Sequence, residues 1–261
     1  MNIVVLMRMV PDVVEELEVA PDGKGLDLEY LRRIPSESDD HALEEAILLK
    51  ERHGGKVTVV APDAPDVDDT LFAALARGAD RVIKVTDAEV GFSTRRIAAE
   101  MGKVLKTVPG LMPADLILTG VQAIDDLDGL MAPVLAYHLN LPNLEIVTKV
   151  ELDSTGGRMT VTREYPGSVR GEFDVKLPAV LGIQAAEKPP RYVPVSKIMA
   201  AKKTLKIEVT GAPPLGESAP PEIEIVEMRK FEPASRAEML EGDPEQAAQK
   251  LAGILAEKGI L

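Results

Sequence analysis

Through the first half of the chain, apolar residues fall into two alternating patterns. Short unbroken runs read as buried strands: IVVLM at 3–7, KVTVVA at 56–61, RVIKV at 81–85 and DLILT at 115–119. Between them the apolar positions recur at helical spacing. Leu43, Ala46 and Ile47 share one face of a helix over 36–51. Val67, Leu71, Ala74 and Leu75 mark the next, with Asp66 as its cap, Asp69 at the third helical position and Gly78 as its stop. Ile97, Met101, Val104 and Leu105 form the stripe of a third helix capped by Ser93, and a fourth runs to about Leu139. Strands alternating with helices predict an α/β fold, a mostly parallel, doubly wound, Rossmann-like sheet covered on both faces. Ligands of such sheets bind beyond the carboxyl ends of the strands.

Other stretches break this rhythm. LEVAPDGKGLDLEY reads as a hairpin, two alternating arms around Pro21-Asp22-Gly23. After position 145, EIVTKVELD, RMTVTREY and GEFDVKL predict added antiparallel strands, the first two joined at Thr155-Gly156-Gly157, and LPAVLGI (177–183) is another buried strand. QAAEKPPRYVPVSKIMAAKKT shows little periodicity. GAPPLGESAPP (211–221) is a proline-rich, extended linker. Asp243-Pro244-Glu245 then starts a final helix with Ala247, Leu251, Ile254 and Leu255 on one face. A single amphipathic helix after a linker has no core of its own, so it must dock on the body or on another chain. The predicted organisation is an α/β domain over 1–189, a further segment over 190–210 and an extended C-terminal arm over 211–261.

Composition narrows the chemistry. Acids outnumber bases 43 to 30, a formal charge of −13 that repels a phosphate backbone and argues against nucleic acid as a partner. Cysteine is absent, which excludes disulfides, a cysteine nucleophile and a cysteine-held iron–sulfur cluster on this chain. His41, His53 and His138 have no zinc spacing. No apolar run is long enough to cross a membrane, and the sequence opens almost directly in an apolar strand, without a charged or amphipathic leader. Together these predict a cytoplasmic protein.

The stretch with the most chemistry is GVQAIDDLDG at 120–129, at the end of the fourth strand. Asp125, Asp126 and Asp128 crowd the approach to a helix, and three readings stand. The acids cap that helix, each stabilising it by about 0.3–1 kcal/mol. They hold a magnesium ion, although no second acidic cluster lies at another strand end. Or the loop binds a nucleotide, Gly120 letting backbone approach it while Gln122 and the aspartates bond its polar groups. Two like charges about 4 Å apart cost roughly 4 kcal/mol at an effective dielectric near 20. A helix end returns at most about 2 kcal/mol. The carboxylates therefore cannot all face a phosphate, and backbone N–H groups must do so. Neither the P-loop pattern nor a G-x-G-x-x-G turn is present. No catalytic triad is evident, which suits a binding or carrier protein.

GVQAIDD after an apolar strand resembles the corresponding loop of the electron-transfer flavoprotein beta subunit. LEEAILLKE, TLFAALARGADR, VTREY, KLPAV and PRYVPVSKIMAAKK resemble further stretches of that family, in the same order, over about residues 1–205. The resemblance implies a heterodimer whose alpha subunit carries most contacts to a redox-active FAD. The beta chain supports that FAD and binds AMP or, in a bifurcating branch, a second FAD. The dimer takes electrons from acyl-CoA or other dehydrogenases and passes them to a quinone reductase or another acceptor. Carried over by position, the nucleotide pocket would use Leu6, Met7, Ser36, Ser38, Asp39, Pro62, Gly120, Gln122, Ala123, Ile124, Asp125, Asp126, Gly129, Leu130 and Met131. PRYVPVSKIM would be the loop that docks on dehydrogenases, with Val195 and Ile198 as apolar anchors, and the C-terminal arm would lie on the alpha subunit. Three places depart from the family pattern. Ser36-Glu37-Ser38 replaces an Asn-Pro-aromatic, Val13 replaces a flavin-facing aromatic, and Leu130-Met131-Ala132 replaces Gln-Thr-Gly. The alternative is a stand-alone adenine-nucleotide-binding regulator of the stress-protein type, which would need neither the arm nor the segment at 184–205.

Overall fold

The computed structural model describes residues 1–88, 93–126, 128–153, 157–216, 223–230 and 239–260. In chain order the elements are β1 (Asn2–Leu6), β2 (Met9–Pro11), β3 (Arg33–Pro35), α1 (Glu37–His53), β4 (Lys56–Pro62), α2 (Val67–Arg77), β5 (Arg81–Thr86), α3 (Thr94–Thr107) and β6 (Leu116–Gly120). Then come α4 (Met131–Leu139), β7 (Asn143–Leu152), β8 (Arg158–Tyr165), β9 (Val169–Lys176), β10 (Ala179–Ile183), α5 (Val195–Thr204), β11 (Glu208–Gly211) and α6 (Pro244–Glu257).

The fold is α/β, built on a nine-stranded sheet ordered β11-β5-β4-β1-β6-β10-β7-β8-β9. From β11 to β7 every neighbouring pair is parallel; β8 and β9 add antiparallel strands. The parallel strands are the unbroken apolar runs of the sequence because both faces are covered: β6 and β10 are buried along their whole length. One core cluster joins α1 and α2 to one face, and a second joins α3 and α4 to the other. From β1 the chain winds outward through β4 and β5, then returns by α3 to place β6 on the other side of β1. That reversal opens a crevice at the carboxyl ends of β1 and β6, where ligands of such sheets bind.

Several expectations need correction. The hairpin at 17–30 shrinks to one antiparallel bridge, Val19 to Leu26, with an amide bond from Ala20 to Gly25 closing the turn. Its alternating residues find no core to cover. Asp66 does not cap α2 through its side chain: it sits at φ 64°, a left-handed conformation that carries the chain into the helix, and makes no cap bond. Ser93 does cap α3, accepting the Arg96 amide. The weakly periodic stretch before the linker contains α5, whose only buried residue is Ala201, and β11, a four-residue edge strand. The other edge, β9, bears Arg170, Glu172, Asp174 and Lys176 at alternate positions, all exposed. The turn positions Thr155 and Gly156, and the linker residues 217–221, lie outside the described residues. α6 carries a full capping box between Asp243 and Gln246 yet buries no residue. No helix among the described residues is long and apolar enough to cross a membrane.

Candidate functional site

Four elements meet where β1 and β6 end. Asp39, in the first turn of α1, is buried, with both carboxylate oxygens occupied: Oδ1 accepts the Gly120 amide at 2.7 Å and Oδ2 the Arg8 amide at 2.9 Å. One side chain thus ties the ends of both strands to one helix. Burial pushes its carboxyl above the usual range, against the pull of Arg8. The approach requires a glycine, since a Cβ on Gly120 would lie 2.2 Å from Ser38 Oγ and 2.6 Å from Asp39 Oδ1. Gly120 was expected to admit a ligand; what comes close to it is α1.

Asp126 plays the same kind of part on the loop that follows. Its Oδ1 accepts the Thr94 hydroxyl at 2.7 Å and the amides of Asp128 and Gly129 at 3.2 and 3.1 Å. Its Oδ2 pairs with the Arg8 guanidinium at 3.1 Å. Burial pushes this carboxyl up, but the Thr94 hydroxyl, Arg8 and the two amides hold it below the ordinary range. The aspartates therefore do not cap α4, whose N-cap is Leu130 with no side-chain bond. Asp126 closes a turn ahead of that helix and consumes two of the amides that were expected to face a phosphate. Asp125 is half-buried, its carboxyl raised by burial despite Arg8. Asp128 is exposed and is raised by burial and by Asp126 beside it. Among the described residues no cluster of three or more His, Asp or Glu is arranged to hold a metal ion.

Beside this hub lies an open cleft of about 550 Å³. Of the expected pocket residues, Ser36, Ser38, Gln122, Ala123, Ile124 and Asp126 line it, together with Val13, His41 and Gln184. Ser38 Oγ donates to the Gln122 carbonyl at 2.7 Å, and Gln122 Nε2 to the Asp126 carbonyl at 2.8 Å, so the loop is stitched across the mouth of α1. Leu6, Met7, Asp39 and Met131 are buried behind the site, and Pro62 ends β4. Those five, with Gly120, Asp125, Gly129 and Leu130, are not in the wall of this cleft. Val195 is 68% exposed and Ile198 is half-buried on α5, apart from the cleft. The sequence reading missed Arg8 and Thr94, the partners of Asp126. The signal for Arg8 was present: it is the only charged residue between Met1 and Asp12.

Among the described residues of the site no serine nucleophile is hydrogen-bonded to a base: Ser38 donates to the Gln122 carbonyl and His41 Nδ1 accepts the Ala186 amide. The site offers a small-walled cleft, a loop braced by its own carboxylates, and a helix start with no side-chain cap and with Pro133 lacking an N–H, which leaves the Met131 and Ala132 amides without intrahelical partners. That is a binding arrangement.

Comparison with known proteins agrees. Residues 27–214 match the electron transfer flavoprotein domain. Three relatives named electron transfer flavoprotein subunit beta are similar over nearly their full length. The Methylophilus methylotrophus protein is 30% identical, over 98% of this chain and 98% of its own. The Bacillus subtilis protein is 31% identical, over 98% and 97%. That of Syntrophomonas wolfei is 34% identical, over 97% and 94%. With its doubly wound sheet and its braced loop after β6, the chain belongs to the electron transfer flavoprotein family, as a beta subunit.

Proposed function

We propose that this chain works in the cytoplasm beside an alpha subunit, supports that subunit's FAD, and binds AMP at the loop that follows β6. FAD supplies the one- and two-electron chemistry; this chain's residues bind and position. The observation that carries the reading is the uncapped start of α4 beside a loop whose buried acid is turned inward. The Met131 and Ala132 amides, at the positive end of a helix, suit a phosphate once the Asp126 charge is paired with Arg8 and its other oxygen is bonded by the Thr94 hydroxyl. Asp125 and Gln122 are the residues assigned to the ribose hydroxyls on this reading. Asp39 and Asp126 are positioning residues here, because their oxygens are already bonded within the chain. The cleft beside Val13 and Ser36 is the surface offered to the alpha subunit's flavin.

The dimer accepts electrons from acyl-CoA or other dehydrogenases, docking through the α5 region with Val195, and passes them to a quinone reductase. The arm over 211–261 lies on the alpha subunit, which accounts for a helix that buries nothing on its own chain. The test is to denature the purified heterodimer and weigh what is released. AMP and FAD in equal amounts are expected. Two FAD per dimer would replace AMP by a second flavin, and FAD alone would remove the nucleotide assignment.

A further inference from the structure

Helix α1 is covered on nearly every side, although only one face meets the sheet. The opposite face bears His41, Glu44, Glu45, Glu51 and Arg52 at spacings that align along a helix. Glu44 and Glu45 are 2% and 1% exposed. Carboxylates that deep are costly unless paired. Their partners come from one place, the irregular stretch 186–191 between β10 and α5. Ala186 donates its amide to His41 Nδ1 at 3.2 Å, Glu187 to Glu45 Oε2 at 3.0 Å and Arg191 to Glu44 Oε2 at 3.1 Å. The Arg191 side chain then joins both Glu44, from Nε at 2.9 Å, and Glu51, from Nη1 at 2.6 Å. Arg52 pairs with Glu187. A segment with no ladder of its own is held by the side chains of a helix.

Arg191 stands just ahead of Pro194, the N-cap of α5. α5 has little of its own to seat it: Ala201 is its one buried residue, and Lys202 reaches Asp69 and the Phe72 ring. Its outer side, with the residue leading into it, exposes Tyr192 (83%), Val195 (68%) and Met199 (48%). We infer that Glu44 is a positioning residue for partner docking: by holding Arg191 it sets where this apolar stripe points. The inference rests on the reading that the α5 region docks on dehydrogenases.

The test uses the assembled heterodimer with an acyl-CoA dehydrogenase loaded with its acyl-CoA. It compares wild type, Glu44→Gln, Arg191→Gln and Val195→Asp. Arg191→Gln breaks the same contact from the more exposed side, so a folding defect in one variant does not decide the matter. In both contact variants the amides of Glu187 and Arg191 should exchange faster. The dehydrogenase concentration at half-maximal rate should rise on the order of 10-fold. The limiting rate and FAD content should hold. Unchanged half-saturation in both, with Val195→Asp impaired, overturns the positioning role and leaves the docking surface standing. Unchanged kinetics in Val195→Asp as well removes the docking surface, and this inference with it.

Discussion

Asp39 Oδ1 receives the amide of Gly120 from 2.7 Å, joining residues 81 positions apart at the crossing of α1 and β6. The contact leaves no room for a side chain at position 120. Gly120→Ala places a methyl group 2.2 Å from Ser38 Oγ and 2.7 Å from the Asp39 amide. It should cost about 3 kcal/mol, in the range of overpacking within a closed site. Urea unfolding measures it; a loss under 1 kcal/mol would mean α1 slides freely away from β6.

Asp126 and Asp125 are adjacent but should behave unlike each other. Asp126→Ala strands Arg8, whose side chain is 13% exposed, and should cost about 3 kcal/mol. Asp125→Ala should cost under 1 kcal/mol and, if the proposed AMP site is right, lower AMP retention. Thermal unfolding paired with nucleotide content separates the two. Since the Asp126 carboxyl is held below its ordinary value, its stabilisation is complete above the unfolded-state pKa and fades as pH falls through the folded one.

Glu145, near the start of β7, has the opposite sign. Burial raises its carboxyl to about 6 from an ordinary 4.5, with Arg163 pulling it back and Asp126 pushing it up, and its Oε1 is buried without a partner. The folded form holds its proton more tightly than the unfolded form. Stability from this group is therefore full below about pH 4.5 and is lost as pH rises through about 6. Glu145→Gln should raise the melting temperature at about pH 7 more than near pH 4.5. Equal shifts at both would show that the carboxyl is ordinary.

The capping box of α6 stabilises an isolated helix, so its loss is local. Asp243→Ala should cost about 1 kcal/mol and speed exchange of the Gln246 amide, which Asp243 accepts at 2.9 Å. The sheet amides should be unaffected.

Where burial is two-sided, the sequence is explicit. IVVLM, KVTVVA and DLILT became β1, β4 and β6 because strands covered on both faces need unbroken apolar runs. α5 was hidden because a helix that buries only Ala201 has no core-facing stripe to read. β11 was hidden because its four residues sit at an exposed edge. At the site, the sequence located the loop and its acids but not their use. Whether Asp126 caps, coordinates or braces depends on Arg8, 118 residues away, and on Thr94. The acidic face of α1 likewise looks like a solvated surface until residues 186–191 lie across it.

The two rims of the sheet bear on how the chain fares when made without its partner. β9 offers a neighbouring molecule a charged side chain at every second position from Arg170 to Lys176, and β11 is too short to template a strand. Stacking into fibrils is thereby discouraged at both ends. Stickiness lies instead on apolar side chains open to water, Leu251 and Ile260 on the arm and Val195 and Met199 on α5. Lone chains should associate reversibly, through a surface that the alpha subunit can still displace.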